Sequence, residues 1–374
     1  MEPTVLLIGL GHLGGVVLEL LAREPGIARV VACSRDPARG TARCNLARLG
    51  AVAQGCAPRI EYLPLDLDDP EGVAAAVRRI APDIVLSTAS MQTWWLTELL
   101  PPEAAAPLRE ARFGIWLPVH MALTLKLMRA LRRIGYGGVT LTAPFPDVVN
   151  CVLGRLGLAP TCGVGNIAEI VPKIRLLASR RLGARLDSVR VLLVGHHALE
   201  AAALSSDPGD LPPYHLEITA DGDDVTHQLP GEELLRAPCP LPGGPARAFL
   251  TAGATSRLVR ALVAGRETLQ HAPAPAGLPG GYPVRVGRGR VRPAPIGGLS
   301  LQDAIAINER SHRFDGIERI EPDGTAVFRA ESVEAVRRAL GYECARLAPD
   351  DSEARGRELM ARFREYAGRH GVKL

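Results

Sequence analysis

The run Thr4-Val-Leu-Leu-Ile8, followed at once by Gly9-Leu-Gly11-His12-Leu13-Gly14, decides the reading of this chain. An apolar, β-prone segment feeds a tight glycine turn, and an amphipathic segment carrying Val16, Val17, Leu20 and Leu21 begins a helix there. The glycine spacing is G-x-G-x-x-G. The first glycine makes the turn, the second lets backbone approach a diphosphate, and the third lets helix pack on strand. Free N–H groups at a helix start suit phosphate. Gly9, Gly11, His12, Leu13 and Gly14 are therefore candidate cofactor-binding residues.

Composition bounds what surrounds this element. At 374 residues the chain exceeds one ordinary core and implies about two domains. With 47% hydrophobic and 22% charged residues it has the balance of a soluble globular protein. Lys plus Arg number 44 against 40 Asp plus Glu, a surplus too small to point to nucleic acid, and no basic block or aromatic-basic stripe appears. Glu2, Glu19 and the glycines argue against a signal peptide or membrane span at the apolar N-terminus, so a cytoplasmic location is expected. The seven cysteines are odd in number and lack a C-x-x-C pair, as expected of reduced thiols.

Outward from the glycines, a second strand is expected over Arg29–Ser34. An NAD site usually places an acid about twenty residues beyond the glycines. Here the strand ends in Ser34-Arg35, with Arg39 one turn later. A hydroxyl and guanidinium forks suit a 2′-phosphate, which favours NADP over NAD. A third strand, Arg59–Leu65, delivers Asp66 and Leu67 as candidates beside the adenine. A helix follows from Pro70 to Ile80, with Pro at its first position. A fourth strand, Asp83–Ser87, is followed by Thr88 and Ala89, and the small residues Ser87, Thr88 and Ala89 leave room beside the nicotinamide ribose. Alternating strands and helices imply an α/β fold with a parallel doubly wound sheet, the N-terminal Rossmann domain over residues 1–150.

Between Met91 and Pro118 the pattern is irregular and holds all three tryptophans, Trp94, Trp95 and Trp116. Pro118 starts a long helix carrying His120 and running through Arg133. The strand Val139–Thr142 then gives way to Ala143-Pro-Phe-Pro-Asp147-Val-Val-Asn150, just past a strand end, where open α/β sheets bind ligands. Thr161–Gly165 reads as a small-residue turn, and Asn166 with Glu169 has capping-box spacing. Pro172 leaves two alternatives, a kinked helix or one whose regular part starts at Pro172. A strand over Ser188–Val194 ends in Gly195-His196-His197, and a hairpin at Asp221-Gly222 joins Tyr214–Thr219 to Val225–His227. The Pro/Gly-rich passages, Gly277–Pro283 above all, read as loops without regular structure. Helices are expected from Leu301 to Arg310, Ser332 to Leu340 and Ser352 to Tyr366.

Taken together, the N-terminal VLLIGLGHLGG, VVACSRDPARG, Leu65–Asp68, GLPGGYP and HRFDGIERIEPDGT runs resemble the saccharopine dehydrogenase-like (saccharopine reductase-type) oxidoreductases. The resemblance implies that the Rossmann domain is completed by C-terminal helices (301–374). It also implies an inserted mixed α/β domain (151–300) that carries substrate and dimer contacts, hence a homodimer. It implies NAD(P)-dependent interconversion of an amine or imine with a carbonyl compound. That family's substrate arginines have no counterpart that can be mapped onto the middle region. The Pro-Asp147-Val-Val-Asn150 run also resembles the asparagine-bearing loop of malate and lactate dehydrogenases, whose arginine and histidine motifs are absent.

Hydride transfer needs a proton donor or acceptor near the reacting carbon and cations for an anionic substrate. His196 and His197 are the leading candidates because imidazole titrates near neutrality. Neighbours in a strand point to opposite faces, so one of the two serves any one site, with His196 preferred. Lys173 is a candidate carboxylate binder or acid, His120 and Asp147 are further catalytic candidates, and Asn150 is a candidate partner of a carbonyl or the nicotinamide carboxamide. No metal site is expected, for there is no H-E-x-x-H and no Cys pair. The expected partner is a small polar amine, imine or ketone. The other classes to distinguish are a non-catalytic NADP-binding regulator and a lyase or epimerase that uses NAD transiently.

Overall fold

A computed structural model describes residues 3–204 and 210–374, so Glu2 lies outside the described residues. In chain order the first half comprises β1 (Thr4–Ile8), α1 (His12–Leu21), β2 (Arg29–Ser34), α2 (Pro37–Val52), β3 (Ile60–Pro64), α3 (Pro70–Ile80) and β4 (Ile84–Ser87). It continues through α4 (Pro102–Glu110), α5 (Leu117–Arg133), β5 (Val139–Thr142), α6 (Pro146–Arg155) and β6 (Cys162–Gly163). The six strands form one parallel sheet in the order β3-β2-β1-β4-β5-β6, the doubly wound arrangement expected from the sequence. Two local readings are corrected. The small-residue run at 161–165 supplies β6, whose pairing of Cys162 with Leu141 closes the sheet edge, and the irregular stretch 91–118 contains α4.

The sheet organises the core by period-two alternation. On β1, Leu6 and Ile8 face a layer built from α3, α5, α6 and the C-terminal Phe328, Leu359 and Phe363. Val5 and Leu7 face the other side, against α1, α2 and residues from 248 to 307. A separate apolar cluster joins Ile167, Ile170, Ile174, Val191, Leu193 and Ile218.

That cluster belongs to the next elements, α7 (Ile167–Leu182), β7 (Val189–Val194), α8 (His197–Ala203), β8 (His215–Ala220) and β9 (Asp223–Asp224). Helix α7 runs unbroken through Pro172, with Glu169 accepting the Asn166 N–H at 3.2 Å. The strands β7-β8-β9 form an antiparallel sheet, but the return strand after Asp221-Gly222 is only two residues long, and 226–228 coil into a 3₁₀ turn. Next come α9 (Gly231–Arg236), α10 (Ala248–Val263), β10 (Thr268–Pro273), β11 (Gly281–Gly287) and β12 (Arg290–Pro293).

Here the loop expectation fails, because Gly281-Tyr-Pro283 opens β11, the middle strand of a second antiparallel sheet. Proline is tolerated there because it lies just before the β11–β12 ladder, which starts at Val284, and its carbonyl still accepts the Ala294 N–H at 2.8 Å. Gly281 also exchanges backbone hydrogen bonds with Gly195, N–H to O 2.8 and 3.3 Å, an approach that bare glycine backbones permit. This bridge ties the end of β7, and with it the His196-His197 pair, to the second sheet.

The chain finishes with α11 (Leu301–Ser311), β13 (Ile317–Ile320), β14 (Ala326–Phe328), α12 (Ala330–Leu340), β15 (Arg346–Leu347) and α13 (Ser352–Arg369). A short helical turn, His312–Asp315, links α11 to β13. Among the described residues no helix is long and apolar enough to cross a membrane.

Candidate active site

The carboxyl ends of β1, β2 and β4 open on a cleft of about 1480 Å³ that runs from the glycine turn to α8. Its volume exceeds the ~300–1,000 Å³ typical of small-ligand pockets. Gly9, Gly11, His12, Leu13 and Gly14 line one end. Gly9 sits at φ +96°, and a side chain there would meet the Ala89 backbone at 2.8 Å. A Cβ on Gly14 would fall 1.8 Å from the Gly9 carbonyl oxygen, so this glycine lets α1 start against β1. Gly11 is different, with nothing within 4 Å of an added Cβ. The three glycines thus serve turn, approach and packing, and the open space at Gly11 lies beside the α1 N-terminus, which suits a diphosphate.

Ser34, Arg35 and Arg39 line the cleft at the end of β2, and Asp66, Leu67, Thr88 and Ala89 line it farther along. The Ser34 hydroxyl lies 3.2 Å from the Tyr62 hydroxyl, and the Asp36 carboxylate caps α2 by accepting the Arg39 N–H at 3.0 Å. Thr88 donates to the Gly9 carbonyl at 2.8 Å, holding the turn in shape. Two of the expected cofactor residues are not on the cleft wall. Ser87 and Asn150 are fully buried, and Asn150 accepts instead from Thr142 Oγ1 at 2.8 Å.

The other end of the cleft is built around His197. The histidine doublet is not a continuous strand: His196 is extended and His197 is the first residue of α8. The two rings therefore do not obey strand alternation, and the expected preference for His196 is reversed. His196 is fully buried behind the wall, whereas His197 lines the cleft between Phe113 and Phe145, ring centroids 4.7 and 4.9 Å away. His197 Nδ1 donates to Asp315 at 2.9 Å, which leaves Nε2 for a reactant. Burial pulls the His197 pKa down, but Asp315, Glu200 and Asp147 together outweigh it and raise it to about 9. Burial works to raise Asp315, and the two histidines overcome it, holding the carboxyl well below the usual carboxylate range.

Asp147 lies buried behind this centre, accepting the His197 backbone N–H at 3.0 Å and a hydrogen bond from Asn166 Nδ2. It positions the start of α8 and does not line the cleft. His120 does line it, stacked on Phe113 at 5.4 Å, with burial first and His197 second pushing its pKa down to about 3, so the ring is neutral. Lys173 is placed elsewhere: its ammonium donates to the carbonyls of Ala203 (2.6 Å) and Leu235 (2.7 Å), tying α8 and α9 to α7. Among the described residues no carboxylate meets it, and it does not line the cleft, so it serves as a structural cation.

Several cleft residues carried no sign of a site in the sequence, where Glu169 read only as the capping-box partner of Asn166. Glu169 and Glu200 are both buried. Arg247 pairs with Glu200 at 2.9 Å and lies over the Trp94 ring at 5.2 Å. Burial, then the neighbouring Glu200 carboxylate, pushes the Glu169 pKa up. Asp315 lies in a Phe-Asp-Gly run, and no local pattern links it to a histidine 118 positions earlier. Among the described residues no group of three or more His, Cys, Asp or Glu is arranged to hold a metal ion.

Known proteins resemble this chain through its fold. No protein-family profile and no curated protein sequence matches it. Malate dehydrogenase from Plasmodium falciparum, solved in complex with NADH, aligns over 83% of this chain and 98% of its own, at 10% identity and a TM-score of 0.53. Lactate dehydrogenase from Eimeria maxima, solved with NADH and oxamate, aligns over 84% and 92% at 11% identity and a TM-score of 0.57. Malate dehydrogenase from Salinibacter ruber aligns over 90% and 98% at 15% identity and a TM-score of 0.51. The architecture is thus that of a Rossmann α/β protein with additional antiparallel sheets, a fold it shares with these dehydrogenases over 83–90% of its length.

Proposed function

We propose that this protein is an oxidoreductase dependent on a nicotinamide dinucleotide, moving hydride to or from a small polar carbonyl or imine compound. One observation carries the reading: the glycine cradle and the His197–Asp315 pair open on the same cleft. The likeness to dehydrogenases solved with NADH supports the same cofactor class. A bound nicotinamide would supply or accept the hydride. The chain's own residues would do the rest. Phe113 and Phe145 hold the ring in place, and imidazolium His197 donates a proton from Nε2 to the oxygen or nitrogen that gains it on reduction. Asp315 balances the charge on the ring and fixes Nδ1 as a donor.

Within that reading NADP is the proposed form, because Arg35 and Arg39 flank the end of β2 while Asp36 is occupied as a helix cap. The saccharopine-reductase type of substrate, an amine or imine, is supported by the cleft wall of Glu169 and Glu200, the latter paired with the Arg247 guanidinium. Burial raises the pKa of both glutamates, so this wall offers an ion pair and a carboxyl ready to share a proton, which suit an ammonium or imine nitrogen better than a second carboxylate. The test is a fluorescence titration with NADPH and NADH, followed by transfer of label from 4-deuterated NADPH into a panel of 2-oxo acids with and without amines. Label in an amine product supports the reading. Tight binding with no transfer to any compound supports a regulator, and retained cofactor with turnover but no net oxidation supports a lyase or epimerase.

A further inference from the structure

Behind the cleft wall the polar chain does not stop at Asp315. His196 Nδ1 lies 3.2 Å from Asp315 Oδ2, and His196 Nε2 lies 3.0 Å from His312 Nδ1, the two rings meeting edge to face at 4.7 Å. His196 is fully buried and His312 is 3% exposed, so water does not supply these partners. Buried imidazoles must satisfy both ring nitrogens, and each can donate from only one while neutral.

We infer that His196 and His312 are positioning residues that form a second arm on Asp315, a directed chain His312 → His196 → Asp315 ← His197 that fixes the carboxylate against the reacting imidazole. This rests on the reading of His197 as the proton donor. The direction follows from electrostatics. If His196 Nδ1 lacked a proton, its lone pair would face an ionised carboxylate oxygen at 3.2 Å, a repulsive contact, in exchange for a weak 3.4 Å hydrogen bond from the Ala198 N–H. With the proton on Nδ1, Nε2 becomes an acceptor, and His312 Nδ1–H is placed to fill it. The chain therefore commits His196 to the Nδ1–H tautomer, the less common one in free imidazole. Burial first, and then its neighbour His196, push the His312 pKa down to about 3, so the terminal ring remains neutral.

The arm has a consequence for His197. A carboxylate that already accepts a hydrogen bond from His196 is a weaker base toward His197 than one left to His197 alone. The groups that act on the pair are Asp315, Glu200 and Asp147 on His197, with His120 across the wall, and His196, Asp315 and Arg155 on His312. The two histidines thus hold Asp315 in place while moderating how tightly it retains the proton on His197.

Side-chain ¹⁵N spectra of histidine-labelled protein, taken without any substrate, test this directly. The expected spectrum of the unaltered protein shows His196 protonated at Nδ1 and unprotonated at Nε2. In His312→Phe and in His196→Gln the His197 titration midpoint should rise, its acid dissociation constant falling by about threefold or more. The alkaline limb of any reductive pH profile should move with it, while NADPH affinity is unchanged. A His196 ring protonated at Nε2 in the unaltered protein, or a His197 midpoint that stays put or falls in either folded variant, overturns the inference. The tautomer measurement needs no variant to fold, and failure of the oxidoreductase reading would appear separately, as absence of hydride transfer with the relay intact.

Discussion

Replacing Asp315 with Asn tests the centre of the site with little change of shape. The His197 pKa rises from its ordinary 6.5 to about 9, and at about 1.4 kcal/mol per unit the imidazolium is favoured by about 3 kcal/mol. Because the folded value is raised, this contribution is fully present below pH 6.5 and is lost as pH rises through about 9. Burial persists in the variant while the first-ranked attraction disappears, so the midpoint should fall to the ordinary value or below it. At pH 7.5 the imidazolium then drops from about thirty-fold excess to a minority of about one in ten. Urea unfolding from pH 6.5 to 9.5 is the assay. The unaltered protein should lose about 3 kcal/mol relative to Asp315→Asn across that range, and reduction at pH 7.5 should slow at least about tenfold in the variant. His120 does not interfere, since its lowered pKa contributes above pH 6.5 and is lost only as pH falls toward about 3. Parallel pH–stability curves for the two proteins would refute the pairing.

The cofactor cradle separates two glycines that sequence alone treats alike. Gly11→Val should fold normally and lose NADPH binding by at least about a hundredfold, because its side chain enters open space needed by a diphosphate. Gly14→Ala should lower thermal stability, since its Cβ would collide with the Gly9 carbonyl, and equal stability of the two variants by calorimetry would contradict the assignment. Arg35→Asp should narrow or reverse the preference for NADPH over NADH in a fluorescence titration, and equal affinities in the unaltered protein would remove the 2′-phosphate argument. Lys173→Met leaves the carbonyls of Ala203 and Leu235 without their donor and should cost about 1–3 kcal/mol in urea unfolding. Cofactor affinity should be unaltered by that change, and a loss of affinity would return Lys173 to the site.

The Rossmann half of the molecule is legible in the residues alone, because there the pattern is local. A strand, three glycines and a helix start are contiguous, and short apolar, β-prone runs mark β1 to β5 without reference to anything distant. The candidate reaction centre, by contrast, comes from packing between distant segments. Asp315 reaches His197 only because α11 and its following turn bring residue 315 against the start of α8, and nothing in either neighbourhood encodes that meeting. The same holds for Lys173, whose charge suggested a ligand until two backbone carbonyls were found to hold it. It holds too for Gly281, whose pairing with Gly195 turns an apparent loop into the strap behind the histidines. Short-range periodicity reports which face of an element is buried, whereas the partner that sets a buried group's charge is chosen by packing across the whole chain.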